Sequence, residues 1–306
     1  MAPGIIVSVF SSLSFALLYY LVALMQPLSG LELVGWRTLF LVPSIGLLLV
    51  ATKRCAEFSS LWAKVGKRPV QIVYPLLSAT LLLCLQWLFL WAPVNGYALD
   101  VTLGFFLMPL VIVLTGHVFF KEHLTRTQGI AAFLAACGVA NEIWVTGGFN
   151  WPAMGIAFGY AVYFAVRKTG GINHLGGLFN DLLFSLPICI WLIASMGIPV
   201  GATLAETPQL YWLLPIFIVV SAASLALYIL SSAMLPLSLF GLLTYAEPLL
   251  LLGVSYLLGE SIRAEQLPTY ALIWLALALM AAEGIMTAGR ELHLVRKARQ
   301  KQSRAD

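Results

Sequence analysis

Apolar residues form ten long runs in this chain, and short gaps between the runs contain most of the polar residues. The runs cover residues 4–26, 32–51, 70–92, 98–119, 127–146, 150–167, 174–196, 209–231, 237–258 and 267–288. Most have about 20 residues, the length that an α-helix needs to cross roughly 30 Å of hydrocarbon. The pattern therefore predicts an all-α membrane protein with ten transmembrane helices.

Basic residues are distributed unevenly between the gaps. Fifteen of the seventeen Lys and Arg residues lie in the gaps after the second, fourth and sixth runs, or in the tail after the tenth. The intervening gaps contain only Arg263, while Arg37 lies within the second run. Because Lys and Arg concentrate in cytoplasmic loops, this asymmetry predicts that both termini are cytoplasmic.

The composition narrows the class of protein further. The chain is 61% hydrophobic and only 10% charged, whereas soluble domains average about 25% charged residues. The net charge of +4 comes from residues on one membrane face, so we expect contact with membrane lipid headgroups rather than with nucleic acid. Four scattered cysteines and the absence of P-loop, H-E-x-x-H and G-x-S-x-G motifs predict a protein that is not an enzyme and has no cofactor or metal site.

Five helices in each half imply two repeats that enter the membrane in opposite orientations, as in many secondary transporters. In the second run Arg37 precedes Pro43 by six residues, and in the seventh Asp181 precedes Pro187 by the same number. The predicted units are residues 1–146, residues 147–289 and a basic cytoplasmic tail, residues 290–306.

Small residues are frequent in the fifth, sixth and tenth runs, and Gly155 and Gly159 form a G-x-x-x-G motif. Such faces let helix backbones approach closely. We expect them to serve packing within the chain, with a homodimer seam as the alternative.

Two charged side chains are predicted deep enough in the membrane to be candidates for function. Arg37 lies about one and a half turns into the second helix, and Asp181 occupies the equivalent place in the seventh. A charge at such depth is costly unless it is paired or faces water. The two can pair directly or each face a central cavity, where a guanidinium suits a substrate carboxylate. The alternative for Arg37 is contact with interfacial phosphate or with Glu32.

Glu247 and His117 are the other titratable candidates. Glu247 is the deepest acid and is followed by Pro248, which lacks the N–H that continues a helix. An acid beside a broken helix can carry a proton or bind a cationic group. His117 can do the same near neutral pH, although we favour a buried neutral ring bonded to a backbone carbonyl.

Aromatic residues add candidates for the walls of a substrate cavity. Trp87 and Trp91 share one face of the third helix; we assign Trp87 to the cavity and Trp91 to the membrane interface. Tyr245 and Tyr163, together with Tyr160 and Phe105, belong to helices expected to line the same cavity.

The chain resembles the RarD branch of the EamA permeases in the drug/metabolite transporter superfamily. The residues that carry the resemblance span nearly the whole chain, at 30–37, 86–95, 103–110, 121–124, 167–168 and 273–278. The chain departs from that branch at Gln86 and Met108, where Asn is usual, and by an additional Pro93. Asn95 lies in the second of these motifs and joins the candidates for substrate binding.

The resemblance implies a permease of the bacterial inner membrane that exports small metabolites or drugs. We therefore hypothesise a secondary permease that binds a small-molecule substrate between the repeats and works by alternating access. The alternative is a membrane scaffold or regulatory subunit that transports nothing.

Overall fold

The computed structural model describes residues 2–25, 28, 30–94, 98–147, 151–196, 207–257, 264–279 and 282–283. Within these ranges the regular structure is helical and no strand occurs. The helices are α1 (Ala2–Leu24), α2 (Gly30–Ala51), α3 (Cys55–Lys67), α4 (Val73–Val94), α5 (Ala98–Phe120), α6 (Arg126–Thr146), α7 (Trp151–Thr169), α8 (Leu175–Met196), α9 (Leu210–Met234), α10 (Leu237–Leu243), α11 (Ala246–Leu257) and α12 (Leu267–Leu279). Short 3₁₀ turns, Pro69–Ile72 and Ala264–Gln266, precede α4 and α12.

Helices lie at all ten of the predicted apolar runs. The six at α1, α2, α4, α6, α8 and α9 are long and apolar enough to cross a membrane. Large apolar side chains cover the outer surface of the bundle; Trp144 is 87% exposed, Phe119 76% and Leu47 70%. Such a surface fits a hydrocarbon environment, so the prediction of an all-helical membrane protein is confirmed.

The structure differs from the apolar pattern at two places. Residues 52–69, which the pattern leaves as a gap, include the 13-residue helix α3. The ninth run contains two helices, because α10 ends at Leu243 and α11 begins at Ala246. Helix α3 forms because Phe58, Leu61 and Trp62 recur at helical spacing and pack on α8.

Contacts between the two halves of the chain come in matched pairs. Helix α1 packs on α9 and α11, while α7 packs on α4 and α5. Two further contacts, α2 with α8 and α5 with α10, join helices at equivalent places in the halves. One continuous apolar core, with Leu41, Ile112, Phe164 and Phe240 among its buried members, fills the space between them.

Small residues are used for packing within the chain. A Cβ at Gly155 or Gly159 would lie 2.7 Å from Leu88 or Leu85 of α4. In α6, Gly138 faces the carbonyl oxygen of Thr269 in α12. The predicted internal role of these faces is therefore confirmed at these positions.

Candidate functional site

Arg37 of α2 lies in the interior of the bundle with an unsatisfied donor. Its Nε is buried and has no hydrogen-bond partner among the described residues. The hydroxyl of Tyr160 in α7 interacts electrostatically with Glu247 and with Arg37. By helical rise, Arg37 and Tyr160 lie about 10 Å and 13 Å from the ends of their helices. Tyr160 is therefore within electrostatic range of a cation and of an acid in the interior of the bundle.

Glu247 stands directly after the break in the ninth segment. Thr244 and Tyr245 form a turn between α10 and α11, and the backbone N–H of Glu247 donates to the carbonyl oxygen of Thr244 at 3.1 Å. Pro248 has no N–H with which to continue the helical ladder across this turn. The eleven residues from Leu237 to Glu247 are separated by ten helical rises, about 15 Å or half of the hydrocarbon thickness. We refer to Arg37, Tyr160 and Glu247 as the central cluster.

Aromatic rings line one side of the central cluster. The hydroxyl of Tyr228 in α9 interacts electrostatically with Glu247 and with the hydroxyl of Tyr160. Its ring packs edge-on against Phe164 at 5.4 Å and Phe240 at 5.1 Å between centroids. These inclined rings form an aromatic cluster next to Tyr228, and small-molecule sites commonly have apolar aromatic linings of this kind.

Asp181 belongs to a different, fully buried cluster. It forms an ion pair with Arg167 of α7, and both side chains are 0% exposed. Ser78 of α4 and Tyr163 of α7 donate hydroxyl hydrogen bonds to the Asp181 Oδ2 at 2.9 Å and 3.1 Å. The structure therefore pairs Asp181 with Arg167 and not with Arg37. We call these four residues the Arg167–Asp181 cluster.

Arg167 is held on its other edge by the loop before α8. Its Nη2 donates to the carbonyl oxygen of His174 at 3.0 Å, and its Nε donates to Asn173 Oδ1 at 3.4 Å. Burial lowers the pKa of His174, with the nearby Glu57 carboxylate acting in the opposite direction. The His174 Nδ1 accepts from the N–H of Gly177 at 3.1 Å, as a neutral ring does.

Glu122, at the end of α5, joins three elements. It pairs with Lys168 of α7, and its two carboxylate oxygens accept the N–H groups of Leu237 and Ser238 at 2.8 Å and 2.7 Å. Partial burial opposes ionisation, but Lys168 and the two backbone donors together hold the pKa of Glu122 below its ordinary value of 4.5. Glu122 thus fixes the first turn of α10.

Trp87, His117 and Asn95 are the predicted site residues that no described contact joins to the central cluster. Trp87 is 45% exposed on the face of α4 that also carries Thr80 and Cys84. His117 is bonded to a carbonyl as predicted, because its Nδ1 lies 2.9 Å from the oxygen of Glu122. Its predicted burial is wrong, since it sits exposed in the last turn of α5. Asn95 lies outside the described residues.

The two predicted tyrosines are both buried but separate. Tyr245 is 1% exposed in the turn before Glu247, while Tyr163 is 2% exposed in the Arg167–Asp181 cluster. Arg167 and Glu122 are the residues that sequence reasoning missed. Arg167 follows Tyr163 by one helical turn and precedes Asp181 in the next helix. This spacing was the signal in the sequence that could have indicated their pairing.

Comparison with known proteins identifies the family. The EamA-like transporter family model matches residues 2–141. The chloramphenicol-sensitive protein RarD of Pseudomonas aeruginosa is 40% identical over 279 residues, which are 90% of this chain and 92% of that protein. An uncharacterized transporter of Pasteurella multocida is 35% identical over 95% of this chain and 99% of its own. The chain belongs to the EamA-like transporter family.

Two further similarities agree with this assignment. Protein RarD of Escherichia coli is 30% identical over 247 residues, which are 79% of this EamA-like transporter and 82% of that protein. A solved crystal structure with 18% sequence identity superposes with a TM-score of 0.59 and covers 92% of this chain and 98% of its own. The second similarity shows a shared fold alone, whereas the sequence relatives support the predicted RarD-like permease.

Proposed function

We propose that this EamA-like transporter is a secondary permease of the bacterial inner membrane that exports small metabolites or drugs by alternating access. Its substrate binds at the central cluster, between inverted repeats formed by residues 1–146 and 147–289. The matched helix contacts support this arrangement, because α1 with α9 corresponds to α7 with α4 in two equivalent halves. The names of the relatives support transport in general.

The observation that carries the proposal is the buried Nε of Arg37, which has no hydrogen-bond partner among the described residues. A buried donor without a partner costs stability, and a substrate carboxylate or carbonyl would satisfy Arg37 Nε. Broken helices at midplane depth are typical of substrate sites in secondary transporters. Tyr160 and Glu247 add a hydroxyl and a carboxylate to the same place.

The experiment that tests this function is flux through the purified protein in liposomes. A thermal-shift screen first identifies ligands that raise the apparent Tm, with chloramphenicol included because of the name of one relative. Wild-type protein should move the best ligand across the membrane, and Arg37→Met should not. Arg54→Met is the matched control, because Arg54 lies 44% exposed at the start of α3. Absence of flux for every stabilising ligand favours the scaffold alternative.

Coupling to protons is proposed for Glu247. Among the described residues Glu247 forms no salt bridge, so its carboxyl group is free to load and release a proton. Glu247→Gln should abolish accumulation driven by a pH gradient and preserve counterflow exchange. Loss of both activities would assign Glu247 to substrate binding, and retention of both would exclude it as the coupling acid.

A further inference from the structure

Helix α3 and its flanking residues carry four exposed cations, Lys53, Lys64, Lys67 and Arg68. Within the described residues none of them takes part in a salt bridge. We call this set the α3 basic surface. The other cation of the segment, Arg54, pairs with Glu57 at 3.5 Å.

The only acid of residues 52–72 is directed away from this surface. Glu57 Oε2 accepts the backbone N–H of Gly176 at 3.1 Å, at the start of α8. No salt bridge among the described residues joins this carboxylate to Lys64, Lys67 or Arg68. An excess of positive charge is left on the outer side of α3.

Apolar side chains place the α3 basic surface at the boundary of the hydrocarbon. Phe58 packs edge-on against Phe179, and Trp62 stacks on Phe184, so α3 lies beside the first three turns of α8. Directly after Arg68, Val70 is 81% exposed and Val73 54%. Exposed aliphatic residues next to exposed cations are typical of the level where acyl chains meet headgroups.

We propose that the α3 basic surface binds anionic phospholipid headgroups, with Val70 and Val73 against the acyl chains. Charge complementarity selects this partner, because each Lys or Arg near an anionic membrane surface strengthens binding about fivefold. The proposal relies on the cytoplasmic orientation that the distribution of Lys and Arg predicts for this end of the bundle, and not on transport.

Lipid bound here would act on α8 through a tight contact. A Cβ on Gly176 would lie 2.5 Å from the backbone nitrogen of Phe58, so the two helices meet without an intervening side chain. Five residues further along α8 is Asp181, in the Arg167–Asp181 cluster. The lipid surface is thus rigidly attached to a helix that joins both halves of the chain.

The test measures lipid binding without requiring transport. Purified protein in a neutral detergent is unfolded thermally with added dioleoyl phosphatidylglycerol or dioleoyl phosphatidylcholine. Phosphatidylglycerol should raise the apparent Tm about 5 °C more than phosphatidylcholine. The difference should shrink at about 0.5 M salt, where charges are screened within a few ångströms.

Matched charge removals locate the surface. The triple variant Lys64→Gln/Lys67→Gln/Arg68→Gln should lose the additional rise in Tm with phosphatidylglycerol. The double variant Lys67→Gln/Arg68→Gln is tested in case the triple variant does not fold. It should lose most of that additional rise. Arg296→Gln/Lys297→Gln/Arg299→Gln removes the same charge from the tail and should keep the effect. The proposal is overturned if the α3 variants keep the Tm rise with phosphatidylglycerol or if both lipids raise the Tm equally. It is also overturned if glycerol 1-phosphate alone reproduces the Tm rise.

Discussion

The central cluster and the Arg167–Asp181 cluster each combine an arginine with an acid in the interior, yet their surroundings differ. Asp181 has the guanidinium of Arg167 and the hydroxyls of Ser78 and Tyr163 around one oxygen. Arg37 keeps a buried Nε with no partner among the described residues. The first arrangement pairs its two charges with each other, although Asp181 Oδ1 has no described hydrogen-bond partner, whereas the second leaves the charge of Arg37 without a described salt bridge.

The difference shows that depth alone does not separate functional charges from structural ones. Arg37 and Asp181 have the same spacing to a proline and similar distances from their helix ends. What distinguishes them is the polar partner that the neighbouring helix supplies. A paired charge fixes helices together, and an unpaired one in the interior is available to a substrate.

The largest expected effect is the loss of Arg167. Arg167→Met would leave the Asp181 carboxylate buried with only hydroxyl partners, which costs about 3–5 kcal/mol. We expect a sharp fall in the folded yield, measured by size-exclusion chromatography and thermal unfolding. The double variant Arg167→Met/Asp181→Asn should recover much of the loss. Equal stability of Arg167→Met and wild type would contradict the structural role of this cluster.

Unlike Arg167→Met, Arg37→Met should keep the stability of the fold and lose ligand binding. The folded protein should accumulate normally, because the buried Nε makes no described hydrogen bond that the variant would lose. Ligand affinity should fall about 10- to 100-fold, the value of one or two charge-assisted hydrogen bonds. Isothermal titration with the best ligand of the thermal screen measures this change. Unchanged affinity would remove Arg37 from the site.

Glu122→Gln should give a smaller, pH-dependent loss of stability. The carboxylate holds the first two N–H groups of α10, and weakening such a cap costs about 1–2 kcal/mol. Because the folded pKa of Glu122 is below 4.5, its contribution is present above that pH and disappears as the pH falls through the folded pKa.

Thermal unfolding of wild type and Glu122→Gln between neutral pH and about pH 3 measures this contribution. The two curves should converge in acid, because protonation gives the wild type the same neutral side chain. A constant difference across the range would show that charge at Glu122 is not the stabilising property.

The smallest effect is expected at Trp87. Since this side chain is 45% exposed on α4, Trp87→Leu should change stability by about 0.5 kcal/mol or less and leave transport intact. Flux in liposomes measures transport, and thermal unfolding measures the change in stability. Loss of flux with normal stability would instead support the prediction from the sequence that Trp87 lines the substrate cavity.

Much of the fold follows from one physical constraint. Apolar runs of the length of a bilayer can satisfy their backbone hydrogen bonds only as helices, so the helix at each predicted run was readable from hydropathy. Helix α3 was not, because its 13 residues contain Lys64 and Lys67 and its apolar face is visible only against α8.

The candidate site was predictable in part for a similar reason. Arg37 and Glu247 stood out because a charge in an apolar run is rare, and the break next to Pro248 followed from the missing N–H. Arg167 was hidden, since a basic residue at a helix end is read as a loop charge until its partner Asp181 is seen in space. Pairing depends on which helices become neighbours, and that information is not local.

The crossing of α5 and α10 has a mechanical consequence. A Cβ on Gly116 would lie 2.7 Å from the backbone nitrogen of Ser238, and one on Gly241 would lie 2.9 Å from the carbonyl oxygen of Pro109. The two helices touch backbone to backbone at both ends of the seven-residue α10. Helix α10, about 10 Å long, is therefore held against α5 at two points, and Glu122 binds its first turn while Glu247 lies just beyond its last residue. A movement of Glu247 relative to α5 is thus expected to arise in the Thr244–Tyr245 turn and not within α10.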